Sequence, residues 1–262
     1  MINHSKPALV LVHGFPLDNR MWEACTASLS NHFKILKINL PGFGGQPLLE
    51  TNTMATWADF VAKSITDSGL SGPVHLCGLS MGGYISLEFA DRYPNRLASL
   101  ILCDTKTLTD SDQARQARLD MAAKLISDDD STAANINTET TVSQIASQML
   151  AKLLCTSTLQ SSPAIVQSVK EMIIQSPAAS IATAQLAMAA RGDTAHVLRA
   201  LHCPVIGIVG AEDELTPPAT MRAEIDTCKS GKTYVIPNAG HLPPLENPAA
   251  FATAVSAVLQ DR

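Results

Sequence analysis

Gly78-Leu79-Ser80-Met81-Gly82 lies between a short apolar run, Pro73 to Cys77, and a helical stretch that begins at Gly83. A serine at such a sharp strand-to-helix turn is pushed outward, with its hydroxyl above the edge of a sheet and its backbone strained. Glycines are expected at both ends of the turn, because a side chain there would collide with the strand and the helix packed around the bend. A glycine-rich turn with an incidental serine is the alternative, but the strand before and the helix after favour the first interpretation.

Apolar runs and helical patterns alternate on both sides of this turn, as in a βαβ sheet. Residues 8–12 form a continuous apolar run, which is typical of a strand covered on both faces of a parallel sheet. Further strands are predicted at residues 33–40, 73–77, 97–103, 204–210 and 233–236. Asp18 is suited to cap a helix after the first strand, and Thr216 before Pro217 is suited to cap a helix over about residues 217–229. The predicted fold class is α/β, a mostly parallel sheet flanked by helices.

Residues 106–195 break this alternation. They contain no strand-like run and no aromatic residue, and helical patterns lie around residues 115–126, 142–154, 164–174 and 179–190. Such a helical stretch is typical of a lid over the active edge of the sheet. Ordinary connecting helices are the alternative, less favoured because connections in compact domains are short. We therefore predict a core domain of residues 1–105 and 196–262, with a helical lid (cap) inserted at 106–195.

The composition excludes several classes of function. The 262 residues are 46% hydrophobic, which is ample for a sizeable core. A net charge of −5 argues against nucleic acid as the main partner. The six cysteines show no metal-ligand spacing with the histidines, and the start of the chain lacks the pattern of a signal peptide. No apolar stretch is long enough for a membrane span. We expect a cytoplasmic protein without membrane contact, as a monomer or homodimer.

Three polar residues follow predicted strands, namely Ser80, Asp213 and His241. A serine hydroxyl is a poor nucleophile until a base takes its proton, and neutral histidine is the base suited to pH 7. That histidine needs a carboxylate to fix its tautomer and to stabilise the imidazolium that forms. Singly, His241 could be a loop histidine and Asp213 a helix cap, but together the three predict a catalytic triad.

A second aspartate, Asp104, also follows a strand after the serine and is the alternative acid of the triad. We favour Asp213 and expect Asp104 to cap backbone amides of the chain that leaves its strand.

An acyl-transfer reaction needs N–H donors for the negative oxygen that develops on the substrate. Met81, the residue after the serine, is expected to supply one backbone amide, and Phe15, in the loop after the first strand, the other. His13 is expected to support that loop through hydrogen bonds, without a catalytic role.

Four stretches, spread over nearly the whole chain, resemble motifs of the α/β-hydrolase superfamily. They are His13-Gly14-Phe15, Gly78 to Gly83, Gly210-Ala211-Glu212-Asp213 and Gly240-His241. Within this superfamily, further short motifs resemble those of 3-oxoadipate enol-lactonases and related small carboxylesterases. They are Leu102-Cys103-Asp104-Thr105, Ala189-Ala190-Arg191 and Thr216-Pro217-Pro218. The resemblance implies the α/β-hydrolase fold and an ester or lactone hydrolase that works through an acyl-enzyme, with no metal and no organic cofactor. It also favours Asp213 as the acid of the triad, because the stretch that contains it resembles the loop that usually carries this acid. Serine at position 80 argues against the similar haloalkane dehalogenases and epoxide hydrolases, which use aspartate there.

An enol-lactonase acts on a substrate that bears a carboxylate and should offer it a cation. Arg191 lies in one of the motifs above, and Arg115 and Arg118 lie on the first helix of the predicted lid. These three arginines are candidate substrate-binding residues, although for each one singly a solvated surface charge is the better explanation.

Other functions remain open from the sequence. A perhydrolase, an acyltransferase or a carbon–carbon bond hydrolase could use the same triad, because fold does not separate these activities. A ligand-binding protein that has kept the fold is a third possibility, against which the three intact catalytic groups argue. The predicted partner is a small-molecule ester or lactone.

Overall fold

The protein is built on a parallel sheet, seen in a computed structural model that describes residues 6–129 and 134–259. The strands are β1 (Ala8–Val12), β2 (Lys34–Ile38), β3 (Val74–Leu79), β4 (Leu97–Cys103), β5 (Val205–Gly210) and β6 (Gly231–Ile236). Within the described ranges they form one six-stranded sheet in the order β2-β1-β3-β4-β5-β6, with every neighbouring pair parallel.

Helices fill the connections between strands. The helices before β4 are α1 (Glu23–Leu29), α2 (Met54–Asp67) and α3 (Met81–Arg92). Those between β4 and β5 are α4 (Asp112–Asp129), α5 (Ala134–Leu153), α6 (Thr156–Ser161), α7 (Pro163–Ile174), α8 (Ala178–Ala189) and α9 (Ala195–Ala200). Those after β5 are α10 (Pro218–Ile225), α11 (Pro243–Glu246) and α12 (Pro248–Ser256). Short 3₁₀ turns lie at Asn19–Trp22, Pro94–Arg96 and Ala257–Leu259.

The apolar run of β1 is continuous because both faces of the strand are covered. Side chains alternate between the two faces of a strand. Val10 and Val12 join the buried cluster that contains α2 and α3, whereas Leu9 and Leu11 join the cluster that contains α1 and α12. All four side chains are fully buried. The α/β architecture predicted from such runs is confirmed.

The strand order marks the edge of the sheet at which a ligand is expected to bind. The chain runs from β1 outward to β2, then returns to β3 on the other side of β1. Because the strands are parallel and in register, with Val12 beside Gly78 and Gly210 beside Ile236, their carboxyl ends share one edge. In open α/β sheets, ligands bind outside the carboxyl ends where the strand order reverses.

The helical insertion, defined as α4 to α9, lies between β4 and β5, as expected. Within it α4 packs against α8, and α5 packs against α7. Division into two domains at residues 106 and 195 stays a prediction, and residues 130–133 lie outside the described part of the chain. So does the start of the chain, on which the expectation of no signal peptide rests. No helix in the described ranges combines the length and the apolar character needed to cross a bilayer.

The two predicted helix caps have different outcomes. Asp18 is a cap, since its carboxylate accepts a hydrogen bond from the Arg20 amide at 2.9 Å where the 3₁₀ turn before α1 begins. Thr216 is not a cap, and that prediction is wrong, because α10 begins at Pro218 with Pro217 in the capping position. The Thr216 amide instead donates to the Asp213 carboxylate at 3.2 Å, so Thr216 belongs to the loop that carries Asp213.

Candidate active site

The Ser80 turn has the strained geometry that the sequence predicted. Ser80 has φ 52° and ψ −113°, in a region that residues other than glycine rarely adopt. Two contacts to the end of β4 hold it there. The Ser80 amide donates to the Cys103 carbonyl at 2.8 Å, and the Thr105 hydroxyl donates to the Ser80 carbonyl at 2.8 Å.

The two glycines of the turn are required by close packing, as expected. A side chain on Gly78 would collide with the carbonyl oxygen of Gly82. A side chain on Gly82 would collide in turn with the carbonyl oxygen of Val12 at the end of β1. The strand before the serine and the helix after it can therefore approach closely only with glycine at these positions.

The Ser80 side chain is available for chemistry. Ser80 is half-buried, and its hydroxyl makes no hydrogen bond to any residue in the described part of the chain. Catalytic hydrogen bonds are often loose or absent before substrate binds, as expected for a nucleophile in the free enzyme.

His241 and Asp213 are brought together by the ends of β6 and β5. His241 Nδ1 lies 2.8 Å from Asp213 Oδ2, and both side chains are almost completely buried. Burial alone would raise the pKa of Asp213, but the imidazole of His241 keeps it below the ordinary value. An ionised carboxylate only accepts hydrogen bonds, so Nδ1 carries the proton and Nε2 is left as the acceptor.

The other carboxylate oxygen of Asp213 is fixed by its own loop. Oδ1 accepts hydrogen bonds from the amides of Leu215 at 2.9 Å and of Thr216 at 3.2 Å. The carboxylate therefore has little freedom to turn away from His241.

Asp104 occupies a different position from the one expected. It is fully buried, and its Oδ1 accepts a hydrogen bond from the Gly210 amide at 2.8 Å, at the end of β5. The expectation that it caps the chain leaving β4 is wrong, since the amide that it caps belongs to the neighbouring strand. Burial, with the charge of Asp213 as a second cause, raises the pKa of Asp104 well above its ordinary value.

One cluster of side chains in the described ranges is close enough to hold a metal ion. It consists of Asp104, Asp213 and His241, with one donor atom from each within 4.8 Å of the others. Two of the three residues already bind each other, and Asp104 is engaged with Gly210. These hydrogen bonds fit a proton-transfer site better than a set of free metal ligands.

The loop after β1 lies against the serine turn. A Cβ added at Gly14 would lie 3.5 Å from Ser80 Cβ and 2.8 Å from a methyl group of Leu79. Neither the Phe15 amide nor the Met81 amide donates a hydrogen bond to another residue of the described chain. Met81 is the first residue of α3, where amides point out of the helix with partial positive charge. Their role as oxyanion donors stays a prediction.

His13 supports this loop, as expected. Its Nδ1 donates to the Gly14 carbonyl at 3.0 Å, and its Nε2 accepts from the Leu40 amide at 3.0 Å. Both ring nitrogens are thus satisfied by a neutral imidazole. Complete burial lowers the pKa of His13 from 6.5 to about 4.

The three candidate arginines all have protein partners. Arg191 donates from both terminal nitrogens to the Asp110 carboxylate, at 2.7 and 2.9 Å, and its side chain is only 4% exposed. Arg118 donates to the same carboxylate at 2.7 Å, and Arg115 donates to the Ala189 carbonyl at 3.2 Å. The explanation of Arg191 as a solvated surface charge is wrong, because its guanidinium is buried against Asp110 and stacked over Tyr84. These contacts lend no support to substrate binding by the three arginines.

Two residues at the site were missed by the sequence analysis. Thr105 holds the Ser80 carbonyl, and the Glu246 carboxylate accepts hydrogen bonds from the amides of Gly240 and Leu242, on either side of His241. Thr105 gives no local signal, since its partner lies 25 residues away. Glu246 lies five residues after His241, and only the direction of the intervening chain brings it back.

A parallel α/β sheet that carries an outward serine and a buried His–Asp pair on one edge defines a serine hydrolase. Residues 7–248 match the family described as alpha/beta hydrolase fold. The chain belongs to the alpha/beta hydrolase fold family.

Relatives within this family include named esterases. The chain is 37% identical to a thermophilic esterase from Thermogutta terrifontis, solved with malate bound, at a TM-score of 0.88 over 98% of this chain and 90% of that one. It is 26% identical over 249 residues to the pimeloyl-[acyl-carrier protein] methyl ester esterase of Aeromonas hydrophila, covering 94% of this chain and 92% of the relative. The enol-lactonase of Burkholderia xenovorans LB400 shares the fold, with a TM-score of 0.84 at 21% identity over 99% of this chain and 94% of that one. The predicted enzyme class, a carboxylic-ester hydrolase, is confirmed.

Proposed function

We propose that this enzyme hydrolyses small, uncharged carboxylic esters through an acyl-enzyme formed on Ser80. The observation that carries the proposal is the buried 2.8 Å hydrogen bond between His241 and Asp213, on the sheet edge where the Ser80 turn also lies. Because Asp213 holds Nδ1, Nε2 is the ring nitrogen that can act as the base toward Ser80.

The chemistry proceeds in two halves. Ser80 Oγ attacks the ester carbonyl carbon while His241 Nε2 takes the hydroxyl proton, and Asp213 stabilises the imidazolium that results. His241 then gives that proton to the leaving alcohol, and the acyl group stays on Ser80. Water, deprotonated by His241, attacks the acyl carbon in the second half, and the proton returns to Ser80 as the carboxylic acid leaves.

A negative oxygen forms on the substrate in both halves of the reaction, and the backbone amides of Phe15 and Met81 donate hydrogen bonds to it. Support comes from the Gly14 backbone packed against the Ser80 turn and from the position of Met81 at the start of α3. Each such donor contributes about 3 to 4 kcal/mol to transition-state binding where it has been measured.

The preference for an uncharged ester rests on two of the three candidate arginines. Arg191 and Arg118 both bind Asp110, so neither offers a free guanidinium to a substrate carboxylate. The esterase from Thermogutta terrifontis, at 37% identity, supports simple ester hydrolysis, and the methyl ester esterase of Aeromonas hydrophila supports a small alcohol portion. A lactone that bears a carboxylate is therefore the less favoured substrate.

A substrate panel tests the proposal. The purified protein is assayed with p-nitrophenyl esters of increasing chain length, methyl esters of mono- and dicarboxylic acids, and several lactones, each also with hydrogen peroxide or an alcohol as competing acceptor. We expect hydrolysis of short neutral esters, with water preferred as acceptor, and its loss in Ser80→Ala. Turnover of carboxylate-bearing lactones alone, predominant transfer to the added acceptor, or binding without turnover would each contradict the proposal.

A further inference from the structure

A single carboxylate, that of Glu246 at the end of α11, holds the segment that carries His241. Its Oε1 accepts hydrogen bonds from the Gly240 amide at 2.8 Å and from the Leu242 amide at 3.2 Å. These amides lie on either side of His241, so one oxygen atom fixes the backbone both before and after the base.

The second oxygen of Glu246 reaches the helical insertion. Oε2 accepts a hydrogen bond from the Cys155 amide at 2.8 Å, in the short connection between α5 and α6. The end of α5 also binds His241 directly, since the His241 amide donates to the Leu153 carbonyl at 2.9 Å. The two backbones are in contact, because a Cβ added at Gly240 would lie 2.8 Å from the Cys155 nitrogen.

The chemistry of this contact requires a carboxylate. Three N–H groups converge on two oxygens, and hydrogen bonds to an ionised acceptor are about twice as strong as neutral ones. Glutamine has the same shape but replaces one oxygen with an NH₂ group, which would face an N–H donor at one of the three positions. Alanine would leave all three amides without this partner.

We propose that Glu246 is a positioning residue for His241, and that it makes the α5–α6 connection of the helical insertion part of the support of the base. The inference deepens the proposed function and rests on it, since it takes His241 as the base. The hydrogen bond from His241 to Asp213 fixes the ring at Nδ1, while Glu246 fixes the backbone from which the ring projects. The distance from Nε2 to Ser80 depends on both.

Glu224 supplies a matched control. Its two carboxylate oxygens accept the Thr107 amide at 2.9 and 3.0 Å, which ties the chain after β4 to α10. Like Glu246, Glu224 accepts hydrogen bonds from backbone amides and links two separate parts of the chain, one of which lies in or next to the helical insertion. Unlike Glu246, it forms no hydrogen bond to residues 240–242 in the described structure.

The test compares Glu246→Gln, Gly240→Ala and Glu224→Gln with the wild type. Two measurements are made on each: kcat and KM with the best p-nitrophenyl ester, and the downfield proton signal of the His241 Nδ1–H group by NMR. Small displacements of a catalytic group cost up to about 10²-fold in rate, so we expect kcat to fall roughly 10- to 100-fold in Glu246→Gln and in Gly240→Ala, with KM little changed. The Nδ1–H signal should shift or broaden in both variants. Glu224→Gln should lose thermal stability but keep the kcat and the signal of the wild type.

Wild-type kcat and an unchanged Nδ1–H signal in folded Glu246→Gln would overturn the inference. An equal fall in kcat in Glu224→Gln would also overturn it, since general loss of stability would then explain the effect. If Glu246→Gln does not fold, Gly240→Ala tests the contact with the insertion, because it keeps the Glu246 carboxylate while its added Cβ would lie 2.8 Å from the Cys155 nitrogen. If the wild type hydrolyses no ester, the proposed function fails, while the NMR signal still tests whether Glu246 positions His241.

Discussion

Asp104 and Asp213 lie close together at one sheet edge, and their surroundings shift their pKa values in opposite directions. Asp213 pairs with His241, which keeps its pKa low, whereas burial beside that negative charge raises the pKa of Asp104. Only Asp213 is hydrogen-bonded to His241. Asp104 is held by the Gly210 amide at the end of β5 instead, so the two aspartates should respond differently to replacement by asparagine.

We expect Asp213→Asn to lower kcat by about 10⁴-fold, the size of the effect in a serine protease where the amide stabilised the wrong histidine tautomer. Asp104→Asn should keep most of kcat, because an amide can still accept from Gly210 and resembles a protonated acid. Its cost should be about 1 kcal/mol of stability. Steady-state kinetics and melting temperatures of both variants decide between the acids, and an inactive Asp104→Asn would reverse the assignment.

His13 gives a pH dependence of stability. Its pKa is about 4 in the folded protein, against 6.5 when unfolded, because the charged ring is disfavoured by burial. The unfolded chain therefore binds the proton first as the pH falls, and stability is lost between pH 6.5 and 4, by at most about 3 kcal/mol.

His13→Gln, which keeps an acceptor for the Leu40 amide, should show a smaller loss of unfolding free energy between pH 7 and 4 than the wild type. Urea unfolding at a series of pH values measures this. His196→Gln is the control, since the side chain of His196 is 61% exposed. Identical slopes for the wild type and His13→Gln would show that His13 titrates normally.

Among the secondary-structure elements, the helical insertion is tied together by charge as well as by apolar packing. Asp110, just before α4, binds Arg118 on α4 and Arg191 after α8, and its side chain is 3% exposed. Burial alone would raise the pKa of Asp110, but the two guanidinium groups hold it well below the ordinary value. Lys106 is a third partner of this carboxylate, at 3.4 Å, so its loss would leave three cations without their anion, and one of them, Arg191, is buried.

Asp110→Asn should therefore destabilise the protein by about 3 kcal/mol, as measured for other buried pairs broken at one partner. Asp67→Asn removes the exposed pair with Lys63 and should cost less than about 1 kcal/mol. Chemical unfolding of the two variants gives the comparison. Equal losses would mean that the Asp110 network contributes no more than a surface ion pair.

At the scale of the whole molecule, local patterns predicted the sheet and the edge at which it works. Apolar runs such as Ala8–Val12 became buried strands, and the turn at Ser80 adopted its strained backbone. His241 and Asp213, 28 residues apart, met because each follows a strand of one parallel sheet. Strand ends can be read from the sequence, and the topology then brings them together.

Contacts between distant segments could not be predicted in this way. Arg191 and Asp110 are 81 residues apart, and Glu246 and Cys155 are 91 residues apart. Their pairing depends on how the helices of the insertion pack, which periodicity does not specify. The Asp104 carboxylate was assigned to the wrong amide for the same reason, since Gly210 lies on a strand 106 residues later.

The most direct test of the account is covalent labelling of Ser80. The intact protein is treated with a fluorophosphonate, and its mass and the mass of its peptides are measured. We predict one adduct on the peptide that contains Ser80, no adduct in Ser80→Ala, and much slower labelling in His241→Gln, because the hydroxyl needs its base. An adduct elsewhere, or equal labelling of the wild type and Ser80→Ala, would contradict the claim that Ser80 is the activated nucleophile.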